Sequence, residues 1–386
     1  MMADPTRSAA LARLVEFAPH MGRDYAQRRN SDGGPEARCV SGLSPHIRHR
    51  LVSESEVVGT ALAHHGAERA EKFIQEVFWR SYWKGFLELR PEMWRDYRQA
   101  VADTPEPPGL ASAMAGETGI AGFDAWAREL IETGWLHNHA RMWFASIWIF
   151  TLRLPWELGA EFFLAHLADA DAASNTLSWR WVAGIQTPGK HYLARAENIL
   201  RYTEGRFDPR GQLNETAAPL EAPPPPPAGR LPRAEPLPQG PVALLLHEDD
   251  LGFIPEGCEV VALGALTGLS SRSRFGPGRR AREFTQGATG DALRRAGARL
   301  GLSPAHVSCD GVAHWARAMG VKKLLLPWAP VGWVRDALDL AVTQGVTIHH
   351  GRRPWDEACW PLAQRGFFPF KAQIPRLIAE LRPAPP

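Results

Sequence analysis

The sequence predicts a protein of two parts, an all-helical bundle followed by an α/β domain with a parallel sheet. Three observations lead to this prediction. Apolar residues recur at three- and four-residue spacing through most of residues 1–214, which is the period of amphipathic helices. Residues 215–241 are rich in proline, as expected of a linker. Residues 242–386 alternate short β-branched runs with helical segments, which is typical of a parallel sheet.

Composition restricts the classes of partner and location. The 386 residues carry a net charge of +2, so any contact with nucleic acid must come from a local basic patch. Four scattered cysteines without a CxxC pair argue against a zinc site or a disulfide framework, and we predict no metal. The N-terminus lacks a signal sequence and no run approaches the ~18 apolar residues of a membrane span. We therefore expect a cytoplasmic protein without a membrane partner.

The first helical segments contain two stretches of interest. A helix is predicted over residues 8–20 and a loop over 25–35, before Ser41–Pro45 (SGLSP). Serine and proline in this order start helices, and the free N–H groups of a helix start can also hold a phosphate. An ordinary capped helix is the simpler interpretation, because capping needs the same residues.

A long helix is predicted over residues 67–89. Glu76, Trp79 and Arg80 share one face of it, together with Trp83. An acid, an arginine and two indoles on one face are compatible with a pocket for a flat ligand. They are equally compatible with a core face on which Glu76 pairs with Arg80.

Residues 103–122 are predicted to form a loop, and a strongly apolar helix follows residues 134–139. Asn138 and Arg141 stand at the start of that apolar helix, where polar side chains need partners. Asp169 and Asp171 are the natural partners for Arg141.

The segment Asp169–Trp181 (DADAASNTLSWRW) combines carboxylates with tryptophans. A buried carboxylate costs several kcal/mol unless it is paired, so this mixture is unusual for a plain core. On a helix, Asp171, Asn175 and Trp179 form one ladder, whereas Trp181 points elsewhere. Taken alone, the segment is equally well explained as a capped helix start followed by core tryptophans.

The second part is predicted to be a Rossmann-like parallel α/β domain over residues 242–386. Its predicted strands are Val242–Leu246, Glu259–Gly264, His306–Cys309, Lys322–Leu326 and Val346–His350. Helical segments are predicted near 288–301, 311–319, 331–344 and 354–364. The first strand ends in the acidic turn His247–Asp250 instead of a Gly-rich loop. Because this turn would repel a phosphate, we expect no high-affinity dinucleotide site there.

Six motifs in residues 1–214 resemble the FAD-binding helical domain of the photolyase/cryptochrome family, in the family's order. They are Tyr25 with Arg29-Asn30, Ser41–Pro45, Glu76–Arg80 (EVFWR), Gly116–Gly119 with Asp124–Arg128, Thr133–Met142 (TGWLHNHARM) and Asp169–Trp181. Together they cover a little over half the chain, and six collinear matches make the resemblance specific.

The resemblance implies FAD as cofactor and gives roles to the residues of these motifs. The cofactor-binding residues it implies are Tyr25, Ser41, Leu43, Ser44, Arg141, Asp169, Asp171 and Asn175. Among them, Ser41, Leu43 and Ser44 would donate to the pyrophosphate, and Asn175 would face flavin N5. A neutral amide at that position adds no like charge beside a reduced anionic flavin.

The resemblance also implies a substrate, a pyrimidine dimer flipped out of damaged DNA. The residues that would bind it are Glu76, Trp79, Arg80, Asn138, Met142 and Trp181. Trp79 and Trp181 would stack on its bases. Protonated Glu76 would donate to a dimer carbonyl. The catalytic set so implied is Glu76, Asn138, Asn175, Trp156 and Trp179, the last two as steps of an electron path.

Three departures from the family pattern stand out. The distal tryptophan of the usual electron path falls near Ala113, so electrons would leave through another residue, such as Trp148 or Trp126. His139 replaces a common arginine. The α/β part follows the helical part instead of preceding it, which makes it either a relocated antenna-like domain or an unrelated module. Whether it holds a second chromophore is open.

The primary hypothesis is therefore a monomeric, light-dependent, FAD-dependent enzyme that repairs cyclobutane pyrimidine dimers. Both substrate-side tryptophans are present, which favours repair over signalling. The alternatives are a cryptochrome-like blue-light photoreceptor and a flavin-binding protein without photochemistry.

Overall fold

The computed structural model describes residues 4–34, 39–267, 270–341 and 345–386. Helices dominate its first half and a five-stranded parallel sheet lies in its second half. The prediction of a mixed fold with a parallel sheet is confirmed. In the described part of the chain before Pro241 there is no strand.

The helices of the first half follow one another with short connections. They are α1 Arg7–Phe17, α2 Arg23–Arg28, α3 Ser44–Arg48, α4 Glu54–Arg69, α5 Glu71–Glu88, α6 Glu92–Asp103, α7 Leu110–Ala115, α8 Ala121–Thr133, α9 Asn138–Ser146, α10 Trp156–His166, α11 Ala172–Ala183 and α12 Ala196–Tyr202. A π-helical turn, Ile147–Thr151, extends α9.

The sheet has the order β3-β2-β1-β4-β5. Its strands are β1 Pro241–Leu246, β2 Glu259–Thr267, β3 Pro304–Ser308, β4 Lys323–Pro327 and β5 Thr347–Gly351. The central strand β1 pairs in parallel with both neighbours, so that Leu244 lies between Leu263 and Leu325. Its residues 242–246 are all buried, as expected of a parallel strand that is covered on both faces. The helices of this half are α13 Arg279–Leu300, α14 Val312–Ala318, α15 Trp333–Ala341, α16 Pro354–Cys359, α17 Phe367–Lys371 and α18 Ile374–Leu381.

Several local predictions differ from the structure. Tyr25 lies in α2, where a loop was predicted, because residues 23–28 form a short helix against α5. Helix α7 interrupts the predicted loop 103–122. The predicted helix 67–89 begins at Glu71, after a kink at Gly66, whose φ of 71° is natural for glycine. The last residues of the predicted helix 331–344, 342–344, lie outside the described residues.

The proline-rich segment 215–241 has no regular structure before β1, but it is anchored. The Leu220 N–H donates to the Ala183 carbonyl at 3.0 Å, and the Gly229 N–H donates to the Leu89 carbonyl at 2.7 Å. The Arg90 guanidinium donates to the Pro226 carbonyl at 2.8 Å. The prediction of an extended, solvated linker is thus wrong in one respect, since the segment lies along the helical half.

Helix α5 is the main contact between the two halves. Gly85 lets it approach the second half closely, because a Cβ at this position would lie 2.7 Å from the Trp360 Cα. Phe78 stacks on Trp355 with ring centroids 4.9 Å apart, and Phe370 is buried beside Phe78. The side of α5 that carries Glu76 and Trp79 is therefore built together with the C-terminal segment.

Candidate functional site

The polar centre of the helical half is formed where α9 and α11 begin. The Arg141 Nη2 lies 2.8 Å from Asp169 Oδ2, in an ion pair whose carboxylate is buried. Burial by itself raises the pKa of Asp169, but the charge and hydrogen bond of Arg141 outweigh it and hold the pKa below its ordinary value. Of the two partners suggested by the sequence, Arg141 takes Asp169.

Asp171 has two other tasks. Its Oδ1 accepts the Ser174 N–H at 2.8 Å and so caps α11. Its Oδ2 lies 3.3 Å from Lys84 Nζ and 3.9 Å from Arg80 Nη1. Burial raises the pKa of Asp171, yet Lys84 and Arg80 together bring it far below its ordinary value. The capped-helix interpretation was correct for this residue, and the carboxylate is also the anion of a buried charge cluster.

Glu76 pairs with Arg29 and not with Arg80, as the core interpretation predicted. Its Oε1 accepts from the Arg29 guanidinium, which stands just after α2. Burial is the largest influence and raises the pKa of Glu76, while the charge of Arg29 opposes the rise. The carboxyl group is thus balanced between two protonation states, which is common for functional acids.

Trp79 is covered on one face by the C-terminal segment. Its ring stacks on Phe367 with centroids 3.5 Å apart and planes 11° apart. The other aromatic neighbours of Trp79 are Tyr82 at 5.6 Å and Trp83 at 5.2 Å. The sequence pattern could not have revealed Phe367, because it lies at the far end of the chain.

The remaining residues assigned to the substrate differ in exposure. Asn138 is exposed at the first position of α9, and Met142 is half-buried one turn later. Trp181 is 36 % exposed and stacks on Tyr192, with centroids 6.0 Å apart. It points away from the buried ladder of α11, as predicted.

That ladder continues from Asp171 into the core. The amide of Asn175 donates to the Ala160 carbonyl at 3.0 Å. Trp179 is buried, with Phe163 at 5.1 Å and Trp148 at 6.3 Å. A Cβ on Gly159 would lie 2.3 Å from the Trp179 ring, so this glycine allows α11 to pack on the first turns of α10. Trp156 begins α10 and is buried.

The segment predicted to hold a phosphate is more modest. Helix α3 has only five residues, and Leu43 precedes it without a side-chain cap. The Ser41 Oγ accepts the Leu43 N–H at 3.3 Å, while Leu43 itself is buried. Tyr25 packs edge-on against Phe73, and burial raises its pKa. The assigned contacts of these four residues, Tyr25, Ser41, Leu43 and Ser44, with a cofactor stay predictions.

The sequence analysis missed the cations that join the two halves. Arg48 is buried and donates to Glu248 at 3.0 Å, and it pairs with Asp249 at 2.8 Å. Arg50 pairs with Asp250 at 3.2 Å and with Asp356 at 2.6 Å. The acidic turn that would repel a phosphate is instead neutralised by α3 and its following turn. The closely spaced Arg48 and Arg50, opposite a run of three acids, were a usable sequence signal.

A small cavity of about 10 Å³ lies where this cluster meets Asp171. It is lined by Lys84, Asp171, Ala172, Ala173, Asp249, Pro330, Val331, Gly332 and Trp333. The volume corresponds to a single water molecule. Across the described ranges, no group of three or more histidine, cysteine or acidic side chains is arranged to hold a metal ion. Within the same ranges, no helix has the length and apolarity to cross a membrane.

Three buried polar atoms of this region have no hydrogen-bond partner. They are Asp169 Oδ1, Arg80 Nη1 and Trp179 Nε1. Buried polar atoms are normally paired, so each is open to a ligand. One carboxylate acceptor and two N–H donors fit a ligand that both donates and accepts, as the pyrimidine edge of a flavin does. On this observation the residues present fit FAD.

Comparisons with known proteins agree with this fit. Residues 73–217 match the family model described as the FAD binding domain of DNA photolyase. The chain is 38 % identical over 180 residues to a deoxyribodipyrimidine photo-lyase of Streptomyces griseus, covering 45 % of this chain and 38 % of that one. It is 29 % identical over 218 residues to the protein of the same name from Escherichia coli, covering 53 % of this chain and 44 % of that one. The chain thus spans about two fifths of the length of the curated relatives it matches.

Among solved structures, a class III photolyase from Agrobacterium tumefaciens is similar over 52 % of this chain and 43 % of its own. The sequence identity is 26 % and the TM-score is 0.44.

Proposed function

The chain belongs, through its FAD-binding segment, to the photolyase/cryptochrome family, and from this premise we propose a light-dependent repair enzyme for cyclobutane pyrimidine dimers in DNA. One observation carries the proposal. Inside the matched segment, the buried Arg141–Asp169 pair keeps an unpartnered carboxylate oxygen, next to charged donors from α5. A buried acceptor of this kind implies a polar ligand held within the helical half.

FAD supplies the photochemistry: when it is bound, reduced and excited by light, it lends an electron to the dimer and regains it after the ring opens. The chain's own residues bind and orient. Arg141 fixes Asp169 so that its free oxygen can accept a hydrogen bond from the cofactor. Lys84 and Arg80 keep Asp171 ionised, which adds a second fixed acceptor. Asn175 presents a neutral amide, which adds no charge next to the reduced ring.

On the substrate side, we assign Glu76 as a proton-bearing acid. Burial favours its neutral form, in which it donates a hydrogen bond to a dimer carbonyl and stabilises the extra electron there. Trp79 offers one ring face, since Phe367 covers the other, and half-exposed Trp181 offers a second platform. Asn138 and Met142 line the approach, and Arg80 adds positive charge for the backbone. Extrusion of the dimer costs a few kcal/mol, which is less for a lesion that already pairs badly.

The deciding experiment measures dimer loss. The FAD-loaded protein is reduced with dithionite, mixed with dimer-containing oligothymidine and illuminated, with a dark sample as control. Restored thymine absorbance only in the light supports repair. Unchanged dimer with bound, reduced FAD would overturn the proposal and favour the photoreceptor alternative. A protein that takes up no FAD would exclude both.

A further inference from the structure

An aromatic chain leads away from Trp156, and no role above uses it. The Tyr97 ring lies 5.5 Å from the Trp156 ring, with 32° between planes. The Trp94 ring lies 5.4 Å beyond Tyr97, with 36° between planes. Tyr97 and Trp94 both belong to α6, and all three side chains are buried. Contact between successive rings makes this a continuous path through the protein.

Tyr97 differs from its neighbours in having a proton acceptor. Its hydroxyl donates to Glu161 Oε1 at 2.7 Å, and Glu161 is fully buried. The other carboxylate oxygen accepts the Arg274 N–H at 2.5 Å, and Arg98 lies 3.5 Å from Oε1. This short hydrogen bond from a phenol to a carboxylate, shielded from water, is the arrangement that lets a proton move as an electron leaves.

The other end of the path reaches α11. Trp179 packs against Gly159, one turn after Trp156 on α10. The Arg180 guanidinium lies over the Trp156 ring at 5.9 Å. The position expected for a distal tryptophan, Ala113, is a buried alanine of α7. Of the exits suggested by the sequence, Trp148 is fully buried and its ring contacts are with Trp179, Phe123, Phe144 and Phe162.

We propose that Tyr97, with Glu161 as its proton acceptor, is the terminal electron donor of the path that runs from Trp179 through Trp156. The inference rests on the proposed function only in that oxidised, light-excited flavin is the electron acceptor. The flavin takes one electron from Trp179, which is refilled from Trp156, which is refilled from Tyr97. The Tyr97 O–H bond breaks, its proton joins Glu161 Oε1, and a neutral tyrosyl radical remains. A soluble thiol later returns the electron, and the proton returns from Glu161.

The structure gives a reason why the path should stop at Tyr97. Once the proton has moved, the electron cannot return to the radical without the proton, so recombination slows. Trp94 has no such outlet, because its indole N–H donates to Asp336 at 2.8 Å from a ring that is almost fully buried. Burial and the charge of Glu161 also raise the pKa of Tyr97, which keeps the phenol protonated before the flash.

The test identifies the radical directly. FAD-loaded, oxidised protein containing ring-deuterated tyrosine is illuminated, frozen and examined by electron paramagnetic resonance, beside unlabelled protein. We expect a signal that narrows on deuteration and is lost in Tyr97→Phe, which keeps the ring packing. Glu161→Gln should lower the radical yield by at least about tenfold, because an amide cannot take up the proton. Circular dichroism and FAD absorbance establish that each variant is folded and loaded.

Two controls make the result specific. Tyr82→Phe removes another buried phenol, whose hydroxyl donates to the Arg365 carbonyl, and should keep the signal. Trp94→Phe should keep it too. A tyrosyl signal that survives in Tyr97→Phe, or a signal from tryptophan alone, would overturn the inference while leaving the repair proposal intact. A tyrosyl signal without dimer repair would support the inference and count against the proposed function, and failure to bind FAD would reject both.

Discussion

The indole of Trp79 and the ring of Phe367 lie face to face, 3.5 Å apart at their centroids, although α5 and α17 come from opposite ends of the chain. One face of a residue assigned to the substrate is thus fixed by a residue outside the matched segment. Phe367 is a positioning residue, and the segment that follows the sheet helps to build the site.

Phe367→Ala should loosen Trp79 and destabilise the protein. Truncating a buried phenylalanine costs about 3 kcal/mol of unfolding free energy, and loss of the stacked ring also reduces affinity for dimer-containing DNA. Urea unfolding and fluorescence anisotropy measure the two effects. Phe368→Ala is the matched control, because its neighbouring ring is 82 % exposed and its removal should change stability by less than about 0.5 kcal/mol. Equal effects of the two variants would contradict the assignment.

Asp171→Asn should destabilise the protein in a pH-dependent way. Asparagine is also a good N-cap, so the variant removes the charge facing Lys84 and Arg80 but keeps the cap. Breaking a buried pair costs about 3 to 5 kcal/mol. Because the folded-state pKa of Asp171 is depressed, the wild-type advantage is complete above its unfolded pKa of about 4 and is lost as the pH falls toward the folded value.

Chemical unfolding between pH 3 and 7 measures this difference. The gap between the two proteins should be largest at neutral pH and should shrink below about pH 4. Asp208→Asn removes an exposed partner of Arg210 and should leave stability unchanged at every pH. A gap that is independent of pH would mean that the charge of Asp171 does not stabilise the fold.

Arg48→Met should disrupt the junction between the helical half and the sheet. It leaves Glu248 and Asp249 buried without their guanidinium, which should cost at least about 3 kcal/mol. Combining Arg48→Met with Asp249→Asn should cost less than the sum of the single variants, because one of the orphaned charges is removed. A double-mutant cycle by urea unfolding measures this coupling, and additive effects would rule it out.

Glu76→Gln and Glu76→Ala separate two roles of this side chain in repair. If Glu76 acts as a neutral donor, glutamine retains an N–H and should keep most of the repair yield, whereas alanine should lose it at least tenfold, as is usual when a transition-state donor is removed. The FAD absorption spectrum should be unchanged in both. Repair that fails equally in the two variants would show that the ionised form, paired with Arg29, is required.

Much of the site could be predicted because its residues lie close together along the chain. Asp171, Asn175 and Trp179 form a ladder through helical spacing alone, and Arg141 stands within reach of Asp169 because α9 and α11 pack together. The strands were predictable from their buried, β-branched runs, as for residues 242–246. Local spacing gives no access to partners that are hundreds of residues away, which is why Phe367 and Glu248 were missed. Glu76 was given the neighbour that its own helix offers, and the structure pairs it with Arg29 of another segment.

The stack between Trp79 and Phe367 also has a consequence for synthesis. The nearby hydrogen bond from Tyr82 to the Arg365 carbonyl joins residues 283 positions apart. At translation rates of about 5 to 20 residues per second, roughly 15 to 60 seconds pass between the appearance of α5 and that of the segment which covers it. During that interval the aromatic side of α5 is open on the ribosome, so a nascent chain of this protein presents a chaperone-binding surface that disappears when α17 docks.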